Sequence, residues 1–366
     1  MKILYITPKI NNEGGVARVL SVKTNYLIEK LGYEVAICTQ NCGNEPLFFD
    51  FNSKVKLFDT PFNGSFLDYF SSYKKNIQTI IENYKPDSLV VTDNGIKGFL
   101  FQYLIKSTIP VLFEVHGSKF NSQNTISSFF SKMAFQTKLY LKQLGLKKFE
   151  KVIFLSKESA SEWNVSNFEI IPNSNWIQTD DFCSLQTKRV LCIARNSYEK
   201  GLDILIQVWK EISAQQPKWK LELITENKGY FDIQKMIVDA DLSDTIELKN
   251  SQKNIVDSYL NSSIYLMTSR DEGLPMVLIE ALSVGLPVIA FDCPIGPKAL
   301  IENDFNGYLI ENKNTNNFIE KTLFLIENQQ KRVEFGKNGI LSTEKFDTNS
   351  ILEKWKLVFE SLKTKR

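Results

Sequence analysis

The sequence predicts an α/β protein of two doubly wound domains, each an open, mainly parallel sheet flanked by helices. Three observations carry this. Short apolar runs of strand length alternate with segments of helical spacing along most of the chain. That alternation pauses over a polar stretch at about 173–188 and then restarts. At 366 residues the chain is too long for one ordinary core and suits two of similar size. The expected division is a first domain at 1–172, a hinge at 173–188, a second domain at 189–340, and a helical segment at 341–366 that packs back on the first domain.

Taken in order, KILYIT (Lys2–Thr7) reads as a buried strand, Gly15–Leu31 as a helix stopped by Gly32, and EVAICT (Glu34–Thr39) as the next strand, a βαβ unit. Further strands are predicted at Ser88–Thr92, Val111–Val115 and Val152–Ser156. Beyond the pause, RVLCIA (Arg189–Ala194) opens the second series. A helix at Gly201–Ile212, a strand at Lys218–Ile224, a helix near Gln234 and a strand at Thr245–Leu248 follow. Next come a helix near Val256, a strand at Ser263–Met267, a helix from Pro275 and a strand at Pro287–Phe291. Ligands of such sheets bind beyond the carboxyl ends of the strands, so the expected site is a cleft between the two domains.

Composition narrows the function classes. Forty-four Lys and Arg against forty-two Asp and Glu leave a formal charge of +2, which gives no global electrostatic case for nucleic acid. The start, MKILYITPKI, enters a strand with no leader-like apolar region, and a cytosolic location is expected. The five cysteines are odd in number and form no C-x-x-C pair, so neither a disulfide framework nor a metal site is expected of them.

The most informative stretch is SRDEGLPMVLIEALSVGLPVIAFDCPIGP, Ser269–Pro297. It follows a predicted strand and enters a helix that Pro275 starts and Gly285 ends. Glu272 precedes that helix, Gly273 begins the turn, and Glu280 lies in the second helical turn. The amides of Met276, Val277 and Leu278 are expected to lack intrahelical partners and, with the helix dipole, to favour a diphosphate. Read from spacing alone, this is equally a capped surface helix with incidental acids. In RVLCIARNSYEKGLDIL, Arg195 and Lys200 flank a short loop at the end of a strand. They are either two solvated charges or a pair awaiting an anion.

Two features belong to the first domain. EVHGS ends the predicted strand Val111–Val115 and contains His116, the single histidine, read either as a packed core residue or as a group facing the cleft. GGVAR places Gly15 between the first strand and helix, where a ligand could approach the backbone. This is not G-x-G-x-x-G, so a nicotinamide site is not expected. Asp239-Ala240-Asp241 fits an Asp-x-Asp string but falls between a helix and a strand start, and is read as a solvated turn. From Ser118 to Lys151, seven lysines (119, 132, 138, 142, 147, 148, 151) interleave with Phe120, Phe129, Phe130, Met133, Phe135 and Leu141. Either the apolar residues are core and the lysines a solvated face, or the segment is a basic amphipathic surface for anionic lipid.

Together, GGVAR, HG after the strand Val111–Val115, Pro172-Asn173, R-x4-KG, SRDEGLPMVLIEA and GLPVIAFDCPIGP resemble the retaining glycosyltransferases of family four, which have the GT-B fold of two facing Rossmann-like domains. The resemblance spans nearly the whole chain. It implies that the second domain binds the nucleotide-sugar, with Arg195 and Lys200 on the donor diphosphate, Glu280 on the ribose and Glu272 on the transferred sugar. By the same resemblance His116 faces the donor sugar from the acceptor-side domain, and the Gly15 loop lies beside the phosphates and the acceptor. It further implies same-face attack, with Glu272 as a covalent nucleophile the less favoured route. No cofactor and no metal are implied. FDCPIGP is similar to the branch that builds bacterial surface polysaccharides from UDP-sugars, with glycan or lipid-linked acceptors. A non-catalytic sugar-nucleotide-binding protein would tolerate loss of these cations and glutamates, and a UDP-sugar epimerase of the same architecture would lack the glutamate pair.

Overall fold

The structure is a computed structural model that describes residues 1–40, 42–43, 45–61, 66–120, 128–226 and 228–363. It divides into two compact units, Met1–Asn173 with Asn349–Arg366, and Ser174–Thr348. Among the described residues, no helix is long and apolar enough to cross a membrane.

The first unit is built on seven strands: β1 Lys2–Ile6, β2 Glu34–Thr39, β3 Lys56–Asp59, β4 Ser88–Val91, β5 Val111–Val115, β6 Lys151–Phe154 and β7 Phe168–Ile170. They pair in parallel in the order β3-β2-β1-β4-β5-β6-β7. Alternate residues feed opposite faces, as the period of two requires. Leu4, Ile6, Leu89, Val91 and Phe113 enter one core. Ile3, Tyr5, Val90 and Leu112 enter the other, which the C-terminal helix Thr348–Lys363 completes with Ile351, Leu352, Trp355, Val358, Phe359 and Leu362. Each of these side chains adds about 1.5–3 kcal/mol by burial, so the chain's end is held firmly on the unit where it began.

The second unit holds β8 Arg189–Ile193, β9 Lys220–Ile224, β10 Ile246–Lys249, β11 Ile264–Met267, β12 Val288–Asp292 and β13 Gly307–Glu311, all parallel, in the order β10-β9-β8-β11-β12-β13. In both sheets the chain reverses its direction of travel beside the first strand, at β1/β4 and at β8/β11. Those are the crevices where open α/β sheets take ligands.

Several expectations need correction. Strands β3, β7 and β13 were not predicted. All three are sheet edges, and β3 and β7 lie mostly open to solvent, so they lack the apolar run that marks an inner strand. The stretch expected as a hinge packs with the second unit from Ser174 onward, where Ile177 and Leu185 are buried and the Leu185 carbonyl accepts two bonds from Arg332. Helix Gln329–Thr343 also runs past the boundary expected at 340. Asp239-Ala240-Asp241, by contrast, is the solvated turn expected: Asp239 ends helix Ile233–Asp239, and Asp241 has φ of 59°, both exposed.

The basic segment forms helix Phe129–Leu146, opened by a reciprocal Ser128/Ser131 capping box. Its apolar residues are not all core: Phe130 is 76% exposed, Met133 56% and Tyr140 64%, and Leu141 is exposed with them. Lys132, Lys138, Lys147 and Lys148 are exposed, while Phe135 and Lys142 are half-buried. Burial and the neighbouring Lys138 pull the Lys142 ammonium down to about 8. Residues 121–127 and the side chain of Phe129 lie outside the described residues.

Candidate active site

In the second unit, the loops after β8 and β11 meet at the switch point and are fastened to each other. Gly201 follows the 3-10 turn Tyr198–Lys200 with φ of 63°, and a Cβ there would sit 2.1 Å from the Thr268 carbonyl, so only glycine lets the loops approach. Thr268 Oγ1 donates to the Gly201 carbonyl at 2.9 Å, and the Arg270 amide donates to the Glu199 carbonyl at 2.7 Å. The Arg270 guanidinium completes the fastening, with one bond to the Tyr198 carbonyl and a bidentate pair to Asp203 at 2.8 and 2.6 Å.

This geometry places Lys200 against Glu272. Lys200 Nζ donates to both carboxylate oxygens at 2.8 Å, and Glu272 is 8% exposed. The expectation that Lys200 and Arg195 need an outside anion to relieve their repulsion is therefore corrected for Lys200, whose charge the protein itself balances. Arg195 is exposed, and its side chain has no partner among the described residues.

Pro275 caps helix Met276–Ser283 rather than starting it. Leu278 donates its amide to the Pro275 carbonyl at 3.1 Å, so the expected trio of open amides reduces to Met276 and Val277. Gly273 lies in the turn before the helix, with its carbonyl 2.7 Å from where a Cβ on Gly296 would stand. The loop after β12 is thereby held against the loop after β11.

Glu280 belongs to a separate network. It is 4% exposed and accepts from Trp176 Nε1 at 2.5 Å and from Tyr259 OH at 2.6 Å. Burial and Glu280 push the Tyr259 phenol far up, so it remains a donor. The two acids thus share one loop and helix but answer to different partners.

In the first unit, Gly15 starts helix Gly15–Glu29 beyond β1, and a Cβ there would meet no atom within 4 Å. Nothing among the described residues requires glycine at that position. His116 follows β5. Its amide donates to Asn94 Oδ1 at 3.0 Å, and its Nε2 lies 3.1 Å from Glu114 Oε2. The same oxygen accepts from Lys23 Nζ at 2.7 Å. Burial pushes the Glu114 carboxyl up, but Lys23 and His116 outweigh it and hold it below the usual carboxylate range. Burial in turn pulls the Lys23 ammonium down, against the opposing effect of Glu114.

Sequence reasoning missed Trp176, Tyr259, Arg270, Asp203, Lys23 and Glu114. Two signals were available. Glu114 and His116 are two apart on a strand and so share a face. Lys23 interrupts the apolar stripe of Leu20 and Leu27 on its helix, which signals a buried cation in need of an acid.

With this geometry in place, residues 183–341 match the family of glycosyl transferases group 1. The matched residues lie within the second unit. An uncharacterized glycosyltransferase of Haemophilus influenzae is 27% identical over 364 residues, covering 97% of this chain and 99% of its own length. The amylovoran biosynthesis glycosyltransferase AmsD of Erwinia amylovora is likewise 27% identical, covering 97% of this chain and 98% of its own length. Among solved structures, S. aureus TarM, crystallised with UDP, superposes with a TM-score of 0.76 at 19% identity, covering 98% of this chain and 99% of that one. The fold of the chain is GT-B, with two Rossmann-like units.

Proposed function

We propose that the chain moves a hexose or N-acetylhexosamine from a UDP-sugar to a glycan or lipid-linked glycan in cell-surface polysaccharide synthesis, with retention at the anomeric carbon and without a metal. The observation that carries this reading is the grouping of Arg195, the Lys200–Glu272 pair and the open amides of Met276 and Val277 at the carboxyl ends of β8 and β11. Breaking the anomeric bond leaves negative charge on the diphosphate and positive character on the sugar. Arg195, Lys200 and the two amides act on the first, and Glu272 acts on the second. Glu280 takes the ribose hydroxyls, and His116 and the Gly15 loop act on the reacting sugar and the acceptor. Because Lys200 engages both Glu272 oxygens, the carboxylate is a poor nucleophile, which favours same-face attack with the leaving phosphate taking the acceptor proton. The UDP bound to TarM supports the donor, and the naming of AmsD supports polysaccharide synthesis.

The test is a thermal-shift panel of UDP, GDP, ADP and their sugars, since ligand at about 100 times its Kd adds about 2.7 kcal/mol. Stabilisation by the uridine series alone is expected. No shift with any nucleotide would overturn the reading. Transfer of the sugar to an added acceptor then separates a transferase from an epimerase or a non-catalytic binder.

Helix Phe129–Leu146 supports contact with anionic lipid as part of the same function. Phe130, Met133, Tyr140 and Leu141 are exposed at helical spacings that put them on one face, with Lys132, Lys138, Lys147 and Lys148 also exposed. That combination suits the inner face of a plasma membrane. Sedimentation with phosphatidylglycerol vesicles but not with phosphatidylcholine vesicles is expected, and Phe130→Ser with Met133→Ser should abolish it. Equal recovery with both lipids would defeat the idea.

A further inference from the structure

The buried ion pair of the first unit is placed to control the chain's single histidine. We propose that Glu114 is a positioning residue that fixes the tautomer of His116, and that Lys23 keeps Glu114 ionised for that purpose. The inference rests on the reading of His116 as a group that meets the reacting sugar.

Two constraints meet at His116. Asn94 fixes the backbone: its Oδ1 accepts from the His116 amide at 3.0 Å, while its Nδ2 donates to the carbonyls of Thr92 and Glu114 at 3.1 and 3.2 Å. Glu114 fixes the ring. Its side chain is 1% exposed, and its Oε2 lies 3.1 Å from His116 Nε2. A carboxylate can only accept, so Nε2 must carry the proton and Nδ1 is left with its lone pair free. Nδ1 has no protein partner among the described residues. A bare ring nitrogen at the carboxyl end of β5 is an acceptor for a hydroxyl.

This works only while Glu114 is ionised. A protonated carboxyl could donate to Nε2 and drive the proton to Nδ1, turning the acceptor into a donor. Lys23 prevents this. Its Nζ is 2.7 Å from the same Oε2, the side chain is 4% exposed, and the ammonium lies 3.8 Å from the centre of the Trp355 ring. Trp355 comes from the C-terminal helix, so the chain's last helix supports the cation that supports the acid. A buried lysine in place of an apolar residue is costly by itself, and the network gives it a task.

Because the chain has one histidine, imidazole nitrogen NMR of the ¹⁵N-histidine-labelled protein reads this ring without assignment. With the ring neutral, the wild type should show a pyridine-like Nδ1 and a pyrrole-like Nε2, well separated. An Nδ1–H ring, or the averaged signals of a ring exchanging between tautomers, would overturn the proposal with no variant needed. In Glu114→Gln the separation should collapse, and kcat should fall roughly ten-fold or more with KM little changed. A relaxed ring with wild-type kcat would refute the positioning role. Lys23→Met should move the proton to Nδ1, and Lys23→Arg should restore the wild-type pattern. His116→Ala at full turnover would instead remove the sugar-facing role itself, a failure that the nitrogen signals report separately.

Discussion

Lys200 Nζ stands 2.8 Å from each carboxylate oxygen of Glu272, so the cation proposed to act on the leaving group and the acid proposed to act on the sugar are already paired in the protein. A diphosphate bound here would not meet a free lysine. On the proposed reading it would share one that Glu272 already orients, and the Arg195 side chain has no partner among the described residues.

That difference separates the two cations by experiment. Lys200→Ala leaves Glu272 buried and without its partner, a loss of about 1–3 kcal/mol, so the variant should melt lower than wild type. Arg195→Ala removes an exposed side chain and should melt unchanged. Differential scanning calorimetry of the two variants without ligand checks this, and equal melting would mean the Lys200–Glu272 contact is not maintained in solution.

The two glutamates should also part company. Glu280→Ala is expected to weaken free UDP by about 1–3 kcal/mol for a lost charged hydrogen bond. Glu272→Ala should lower turnover much more than it changes UDP affinity, because its contact strengthens as the sugar gains positive character. Paired titration and transfer assays decide it, and matching losses of UDP affinity would end the division of labour.

Much of this was legible in the sequence, and the limits have physical causes. Inner strands such as β5 and β11 were readable because burial on both faces demands a largely apolar run, which Glu114 alone interrupts in β5. Edge strands β3 and β7 have no such demand. Arg195, Lys200 and Glu272 could be placed near one another because each follows a strand at its carboxyl end. The Lys200–Glu272 bond could not be foreseen, since it joins residues 72 apart through a loop closure that depends on Gly201. Trp176 was hidden for another reason: it lies in a polar stretch that looked like a linker, and only packing brings it to Glu280.

The buried pair in the first unit predicts a dependence on pH. The Glu114 carboxyl is held below its usual value in the folded protein, so its contribution is fully present above the unfolded carboxylate value and is lost as pH falls through the lower, folded one. Lys23→Met should cost about 3–5 kcal/mol at neutral pH, because Glu114 loses its cation and must take up a proton to stay buried, and Lys23→Met with Glu114→Gln should recover most of it. Urea unfolding of the single and double variants between neutral and acid pH tests both statements. Additive losses in the double variant would count against the pairing.

Chelation should matter little, because Arg195, Lys200 and the Met276 and Val277 amides are the groups proposed to act on the leaving diphosphate. Transfer or donor hydrolysis is expected to persist in EDTA. Complete loss that Mn²⁺ or Mg²⁺ restores would require a metal in the mechanism.

The most direct measurement is calorimetry of UDP and of uridine on wild type, Arg195→Ala and Lys200→Ala. If these cations hold the diphosphate, UDP should bind the wild type, and each variant should lose about 1.5–3 kcal/mol of UDP affinity, roughly ten-fold to more than a hundred-fold, with uridine nearly unaffected. Equal losses for UDP and uridine, or no UDP binding by the wild type, would contradict the placing of a nucleotide-sugar at β8 and β11.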